Sequence, residues 1–285
     1  MRAESPLVTP AWLAAHLGDP RIVVADARWY LRGKTGQGEY RAGHIPGACF
    51  IDVDADLSSA PGPGRPGRHP LPTADHFAQV LAERGVGPGD VVVAYDDTGG
   101  TTAARLWWLL RYFGHDVGRV LDGGLSAWSA EGHPLDKNAF ARPAAPRLDL
   151  RAKPEMIVDK EGVKAMLLSG EGLLLDARAS ERYEGKIEPV DARPGHIPGA
   201  KSAPFADNLC SPGGPMRSRE ELVRHYAALG AFERSPVVAY CGSGVTACHD
   251  VLALSIAGKN DVVVYEGSWS DWAGDLELEA ALGKG

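Results

Sequence analysis

The chain has 285 residues, 44% of them hydrophobic and 24% charged, an ordinary globular composition long enough for one large domain or two of about 140 residues. Thirty basic residues against 37 acidic ones give a net charge of −7, which argues against a broad nucleic-acid-binding surface. No run approaches the ~18 consecutive apolar residues of a membrane span, and the stretch from Met1 to Pro10 is not expected to act as a secretory signal.

In chain order, short apolar runs at 22–25, 91–95 and 119–121 predict buried strands, and amphipathic stretches at 74–84 and 102–113 predict helices. The second half repeats the pattern, with strands expected at 172–175, 237–240 and 262–265 and helices at 219–229 and 245–257. Strands alternating with helices predict α/β units with mainly parallel sheets.

The repetition extends to the letters. Val23-Val24-Ala25-Asp26-Ala27-Arg28 is answered by Leu173-Leu174-Leu175-Asp176-Ala177-Arg178, and Gly43-His44-Ile45-Pro46-Gly47-Ala48 recurs unchanged as Gly195-His196-Ile197-Pro198-Gly199-Ala200. Val91 to Tyr95 returns as Pro236 to Tyr240, and Asp122 to Trp128 as Glu266 to Trp272. Ordered matches at so long and so constant an offset mean duplicated domains, not a solenoid. Prolines 134, 143, 146 and 154 mark the join. The reading is a first domain over 6–136, a linker over 137–153 and a second domain over 154–283.

The four cysteines, Cys49, Cys210, Cys241 and Cys248, form no C-x-x-C pair, so free thiols in a cytoplasmic protein are expected, with neither a disulfide framework nor a zinc site. Cys241 stands apart. It directly follows the apolar run 237–240, and Gly242-Ser243-Gly244-Val245-Thr246 then leads into a predicted helix. Sites in open α/β sheets form beyond the carboxyl ends of strands. Such a loop can turn backbone N–H groups inward beside a helix N-terminus, which favours a nucleophilic thiolate. Cys248, about two turns on, reads as structural.

These motifs together resemble the tandem-domain rhodanese-type sulfurtransferases, over nearly the whole chain. The loop Cys241-Gly242-Ser243-Gly244-Val245-Thr246 is similar to that of the mercaptopyruvate-type branch; thiosulfate-preferring relatives carry Arg and Lys in place of Gly242 and Ser243. The resemblance implies two rhodanese-like α/β domains, each a mainly parallel sheet flanked by helices, with a single active site. The first domain has Asp96 where the second has Cys241, so it is expected to be catalytically inactive.

The resemblance further implies a Cys241 persulfide, 3-mercaptopyruvate as sulfur donor with thiosulfate as the alternative, and a thiol or cyanide as acceptor, thioredoxin among the thiols. It implies no cofactor, no metal, no nucleic acid and no membrane partner. Gly242, Gly244, Val245 and Thr246 would contact the substrate. Arg182 and Arg193 are candidates to hold its carboxylate, a group that guanidinium geometry suits. Asp54 and His69 are nominated with Ser243 as a proton-handling set. His44 and His196 occur in both halves and read as structural.

Two rival readings fit the residues less well. A cysteine phosphatase would need Arg six residues after Cys241, where the chain has Ala247. A non-catalytic rhodanese-like binding or sensor module would not need the intact Cys241 loop.

Overall fold

The computed structural model describes residues 5–284, which separate into two compact units. In the first, strands β1 (Leu7–Val8), β2 (Ile22–Asp26), β3 (Cys49–Phe50), β4 (Val91–Tyr95) and β5 (Arg119–Leu121) lie side by side as β1-β5-β4-β2-β3, every neighbour parallel. In the second, β6 (Ile157–Val158), β7 (Leu173–Asp176), β8 (Lys201–Ser202), β9 (Val237–Tyr240) and β10 (Val262–Tyr265) repeat that order as β6-β10-β9-β7-β8, again all parallel. The central strands β4 and β9 are almost entirely buried, which is why they read as unbroken apolar runs rather than alternating ones.

Helices α1 (Pro10–His16), α2 (Gly36–Ala42), α3 (Ala74–Glu83), α4 (Ala103–Tyr112) and α5 (Gly124–Ala130) belong to the first unit. Their counterparts in the second are α6 (Lys160–Ser169), α7 (Ser180–Tyr183), α8 (Arg219–Ala228), α9 (Ala247–Ala257) and α10 (Ser268–Gly274). The expected α/β class with mainly parallel sheets is what the chain forms. Helices α4 and α9, which follow the central strands, are buried on nearly every face, so the amphipathic pattern expected for 102–113 leaves α4 no broad exposed face, and the polar Arg105, His249 and Asp250 are buried with the apolar residues.

Each unit is discontinuous. The second takes in Ala60–Leu71, and the first takes in Leu209–Met216. The proline-rich stretch 137–153 belongs to the first unit. Arg142 donates there to the Gly85 carbonyl at 2.8 Å and to Asp90 at 2.9 Å, and the Lys153 N–H donates to the Tyr112 carbonyl at 2.9 Å. Prolines deny it regular structure, but these bonds fix its path.

The repeated motifs are explained by one buried polar lock made twice. Arg28 donates to Asp26 at 2.6 Å and to the Gly43 carbonyl at 2.8 Å; Arg178 donates to Asp176 and to the Gly195 carbonyl, both at 2.6 Å. The Tyr95 and Tyr240 hydroxyls accept the N–H groups of Ile45 and Ile197. The Asp-Ala-Arg and Gly-His-Ile-Pro motifs thus tie a strand end to a turn, satisfying groups that would be costly if buried unpaired. His44 stacks on Tyr40 and His196 on Tyr183, each bonding a backbone carbonyl through Nδ1. Both are structural.

Candidate active site

Strand β9 sits between β10 and β7, so Cys241, the next residue, emerges at the carboxyl edge in the middle of the second sheet. Cys241 and Ser243 are buried. The loop is hung on the start of α10: Trp269 and Ser270 donate their N–H groups to the carbonyls of Cys241 and Gly242, both at 2.9 Å. The Cys241 N–H donates to Ser268 Oγ at 3.2 Å. Gly244 has φ +78°, and a Cβ there would lie 2.6 Å from the Glu266 carbonyl oxygen, so this position requires glycine.

With the loop carbonyls turned away towards α10, the N–H groups are left over. Among the described residues, none accepts the backbone N–H of Gly242, Ser243, Val245, Thr246 or Ala247. The first unit shows what such a cradle holds. There the buried Asp96 carboxylate accepts the N–H groups of Thr98, Gly100, Thr102 and Ala103 at 2.8–3.0 Å, together with the Thr102 hydroxyl at 3.1 Å. Aligning Tyr95 with Tyr240 places Cys241 on Asp96. In the second loop the N–H groups of Ser243, Val245 and Ala247, at the positions that match Thr98, Gly100 and Thr102, have no acceptor among the described residues, the condition for an anion-holding nest.

His69 lies in the Ala60–Leu71 segment of the second unit, buried, with Nδ1 hydrogen-bonded to Ser243 Oγ at 2.7 Å. Asp54 belongs to the first unit and accepts the Trp29 indole N–H at 2.8 Å. Arg182, at the end of α7, donates to Glu188 at 2.7 Å and to Asp191 at 2.9 Å, with its Nη1 near Gly242.

Arg193 points elsewhere. Its Nη2 is spent on the carbonyls of Trp272, Asp275 and Leu278 at 3.4, 2.9 and 2.6 Å, around the end of α10. The expected second guanidinium at the loop is instead Arg68, whose Nη2 would touch a Cβ at Gly242 and whose Nη1 pairs with Asp191. Sequence reasoning passed over it because it sits in a Pro- and Gly-rich stretch without periodicity. The signal available was its place next to His69.

The remaining thiols lack such surroundings. Cys248 is buried, its Sγ donating to the Gly244 carbonyl at 3.4 Å. Burial pushes the Cys49 thiol up to about 12, which leaves it unreactive near neutral pH. Cys210 is exposed.

The rhodanese-like domain family matches residues 9–131 and again 159–275. The chain is 41% identical to a probable 3-mercaptopyruvate sulfurtransferase of Pseudomonas aeruginosa, over 99% of both chains. To the 3-mercaptopyruvate sulfurtransferase of Homo sapiens it is 38% identical, over 98% of this chain and 95% of that one. The crystal structure of SseA from Escherichia coli, a 3-mercaptopyruvate sulfotransferase, superposes with a TM-score of 0.82 at 32% identity, covering 93% of this chain and 99% of that one. A duplicated parallel sheet, a cysteine at the end of one central strand with an aspartate at the end of the other, and full-length identity to such relatives make this chain a member of the rhodanese-like family, with one such domain in each half.

Proposed function

We propose that the protein is a 3-mercaptopyruvate sulfurtransferase that works through a persulfide on Cys241. The observation that carries the reading is the loop after Cys241, whose N–H groups at Gly242, Ser243, Val245, Thr246 and Ala247 have no acceptor among the described residues, set beside the matching loop whose N–H groups hold the Asp96 carboxylate. A cradle that holds a carboxylate in one half can hold a thiolate, and then a persulfide anion, in the other.

In the first step the Cys241 thiolate attacks the donor sulfur. The carbon–sulfur bond breaks with its electron pair passing to carbon, giving the enolate of pyruvate and a persulfide on Cys241. The proton on the donor sulfur is released and the enolate carbon gains one. Ser243 and His69, 2.7 Å apart, form the route by which that proton moves, and Asp54 is the residue proposed to orient the imidazole. In the second step a thiol or cyanide attacks the outer sulfur, the sulfur–sulfur bond breaks, and the Cys241 thiolate returns. This is covalent catalysis in two easier steps.

Gly242, Gly244, Val245 and Thr246 shape the cradle, and Arg182 holds the donor carboxylate. We place the protein in the cytoplasm, where free cysteines persist, with thioredoxin as one thiol acceptor. Among the described residues no helix is long and apolar enough to cross a membrane. The donor assignment is tested by the ratio of kcat/KM for 3-mercaptopyruvate to that for thiosulfate. A ratio above one is expected; a ratio below one makes the protein a thiosulfate sulfurtransferase.

A further inference from the structure

We propose that Arg68 is a substrate-binding residue and that, with Arg182, it forms a two-guanidinium clamp for the oxyanion end of the sulfur donor beside Cys241. The inference rests on the sulfurtransferase reading and adds to it a residue supplied by the chain far from the cysteine loop.

The local geometry delivers Arg68 to the loop. Gly67, at φ +73°, runs so close to α10 that a Cβ would sit 2.6 Å from the Gly267 carbonyl oxygen. The Arg68 N–H then donates to Ser270 Oγ at 3.1 Å, while the Ser270 N–H donates to the Gly242 carbonyl at 2.9 Å. One residue of α10 therefore pins both the backbone of Arg68 and the residue after the cysteine.

The side chains complete the clamp. A Cβ at Gly242 would lie 3.1 Å from Arg68 Nη2 and 3.4 Å from Arg182 Nη1. Carboxylates hold both side chains from the other side: Arg182 gives Nε and Nη2 to Glu188 and Asp191, and Arg68 pairs its Nη1 with Asp191. Among the described residues neither Arg68 Nη2 nor Arg182 Nη1 has an acceptor. Two unpaired, positively charged donors thus flank the cradle, held in place from behind by carboxylates that are themselves buried. Arg68 is also within electrostatic reach of the nucleophile. Burial pushes its guanidinium down, and the nearby Cys241 is the first influence opposing that shift.

This arrangement suits a carboxylate or a thiosulfate oxyanion, each of which can bridge two guanidinium donors. It also gives Gly242 a purpose: any larger residue there would press on both arginine tips. Arg68 gives the site a second cation that the neutral Gly242–Ser243 pair does not itself supply.

The test is steady-state kinetics of wild type, Arg68→Ala and Arg68→Lys with 3-mercaptopyruvate and with thiosulfate. Hydrogen bonds to charged groups predict that Arg68→Ala raises KM about 10- to 100-fold for each donor that wild type turns over, with kcat changed only a few-fold. Lys restores the charge without the planar fork, so Arg68→Lys should recover part of that loss. An unchanged KM in Arg68→Ala overturns the clamp, as does a loss confined to kcat that Lys does not relieve, which would make Arg68 a support for the loop. Wild type that turns over neither donor is a different result, and it removes the sulfurtransferase reading itself along with the clamp.

Discussion

Asp96 and Cys241 occupy the same place in the two halves, one residue past the central strand of its sheet, and they differ in what fills the loop around them. Four backbone N–H groups converge on the Asp96 carboxylate, whereas in the loop after Cys241 the N–H groups of Gly242, Ser243, Val245, Thr246 and Ala247 have no acceptor among the described residues. The first half has become a closed, self-satisfied version of the second. That difference separates a structural loop from a reactive one more sharply than the presence of a thiol does.

The closed loop should be a stability element. Asp96→Ala strips the acceptor from four buried or partly buried N–H groups, while the Thr102 hydroxyl keeps the Ala27 carbonyl at 2.6 Å. With each stranded donor costing about 1–3 kcal/mol, a loss above ~3 kcal/mol is expected in urea unfolding. A loss under 1 kcal/mol would show that water replaces the carboxylate without penalty.

His69→Ala should separate the two donors. The pyruvate enolate must gain a proton, whereas sulfite leaves thiosulfate readily without one. General acid–base contributions are typically ~10²–10⁴-fold, so kcat with 3-mercaptopyruvate should fall within that range and kcat with thiosulfate by much less. Equal small losses on both would reduce His69 to a loop residue that packs on Ser243.

The sequence made some of this legible, and the physical reasons differ from residue to residue. Strands β2, β4, β5, β7, β9 and β10 announced themselves because burial on both faces leaves continuous apolar runs. The two-residue strands β1, β3, β6 and β8 are too short to carry any periodicity. Cys241 could be singled out by its position after a strand, and the His69–Ser243 contact was anticipated from the resemblance. The place of Arg193 was not legible because the carbonyls that hold its Nη2, those of Trp272, Asp275 and Leu278, lie far away in the chain. Arg68 was missed for a related reason: the close approach of Gly67 to Gly267 is a tertiary fact, written nowhere near either residue in the chain.

A buried acid in α9, the helix that follows the Cys241 loop, should shape the pH dependence of stability. Asp250, fully buried in α9, accepts a hydrogen bond from Asn208 at 2.8 Å, and burial holds its carboxyl well above the usual carboxylate range. The folded chain therefore keeps a proton that the unfolded chain releases above about pH 4. Because the native state then binds more protons, this contribution lowers stability as pH rises from about 4 towards the folded value. Asp250→Asn removes the titration. Its melting temperature should gain on wild type as pH rises above about 5, and parallel curves would contradict the assignment.

Arg182→Ala should act on binding rather than on chemistry, since it holds a group that does not react. KM for 3-mercaptopyruvate should rise about 10- to 100-fold, the range expected when a charge-assisted hydrogen bond is lost, with kcat within a few-fold of wild type. A fall in kcat at unchanged KM would instead place Arg182 in the chemical step.

The central claim is that Cys241 carries the transferred sulfur, and intact-protein mass spectrometry tests it most directly. After incubation with 3-mercaptopyruvate and removal of excess donor, wild type should be heavier by one sulfur atom, and cyanide should return it to its starting mass with release of thiocyanate. Cys241→Ser should stay folded and gain nothing, while Cys248→Ser should load as wild type does. A Cys241→Ser protein that still gains the sulfur, with the loading lost in Cys248→Ser, would contradict the account.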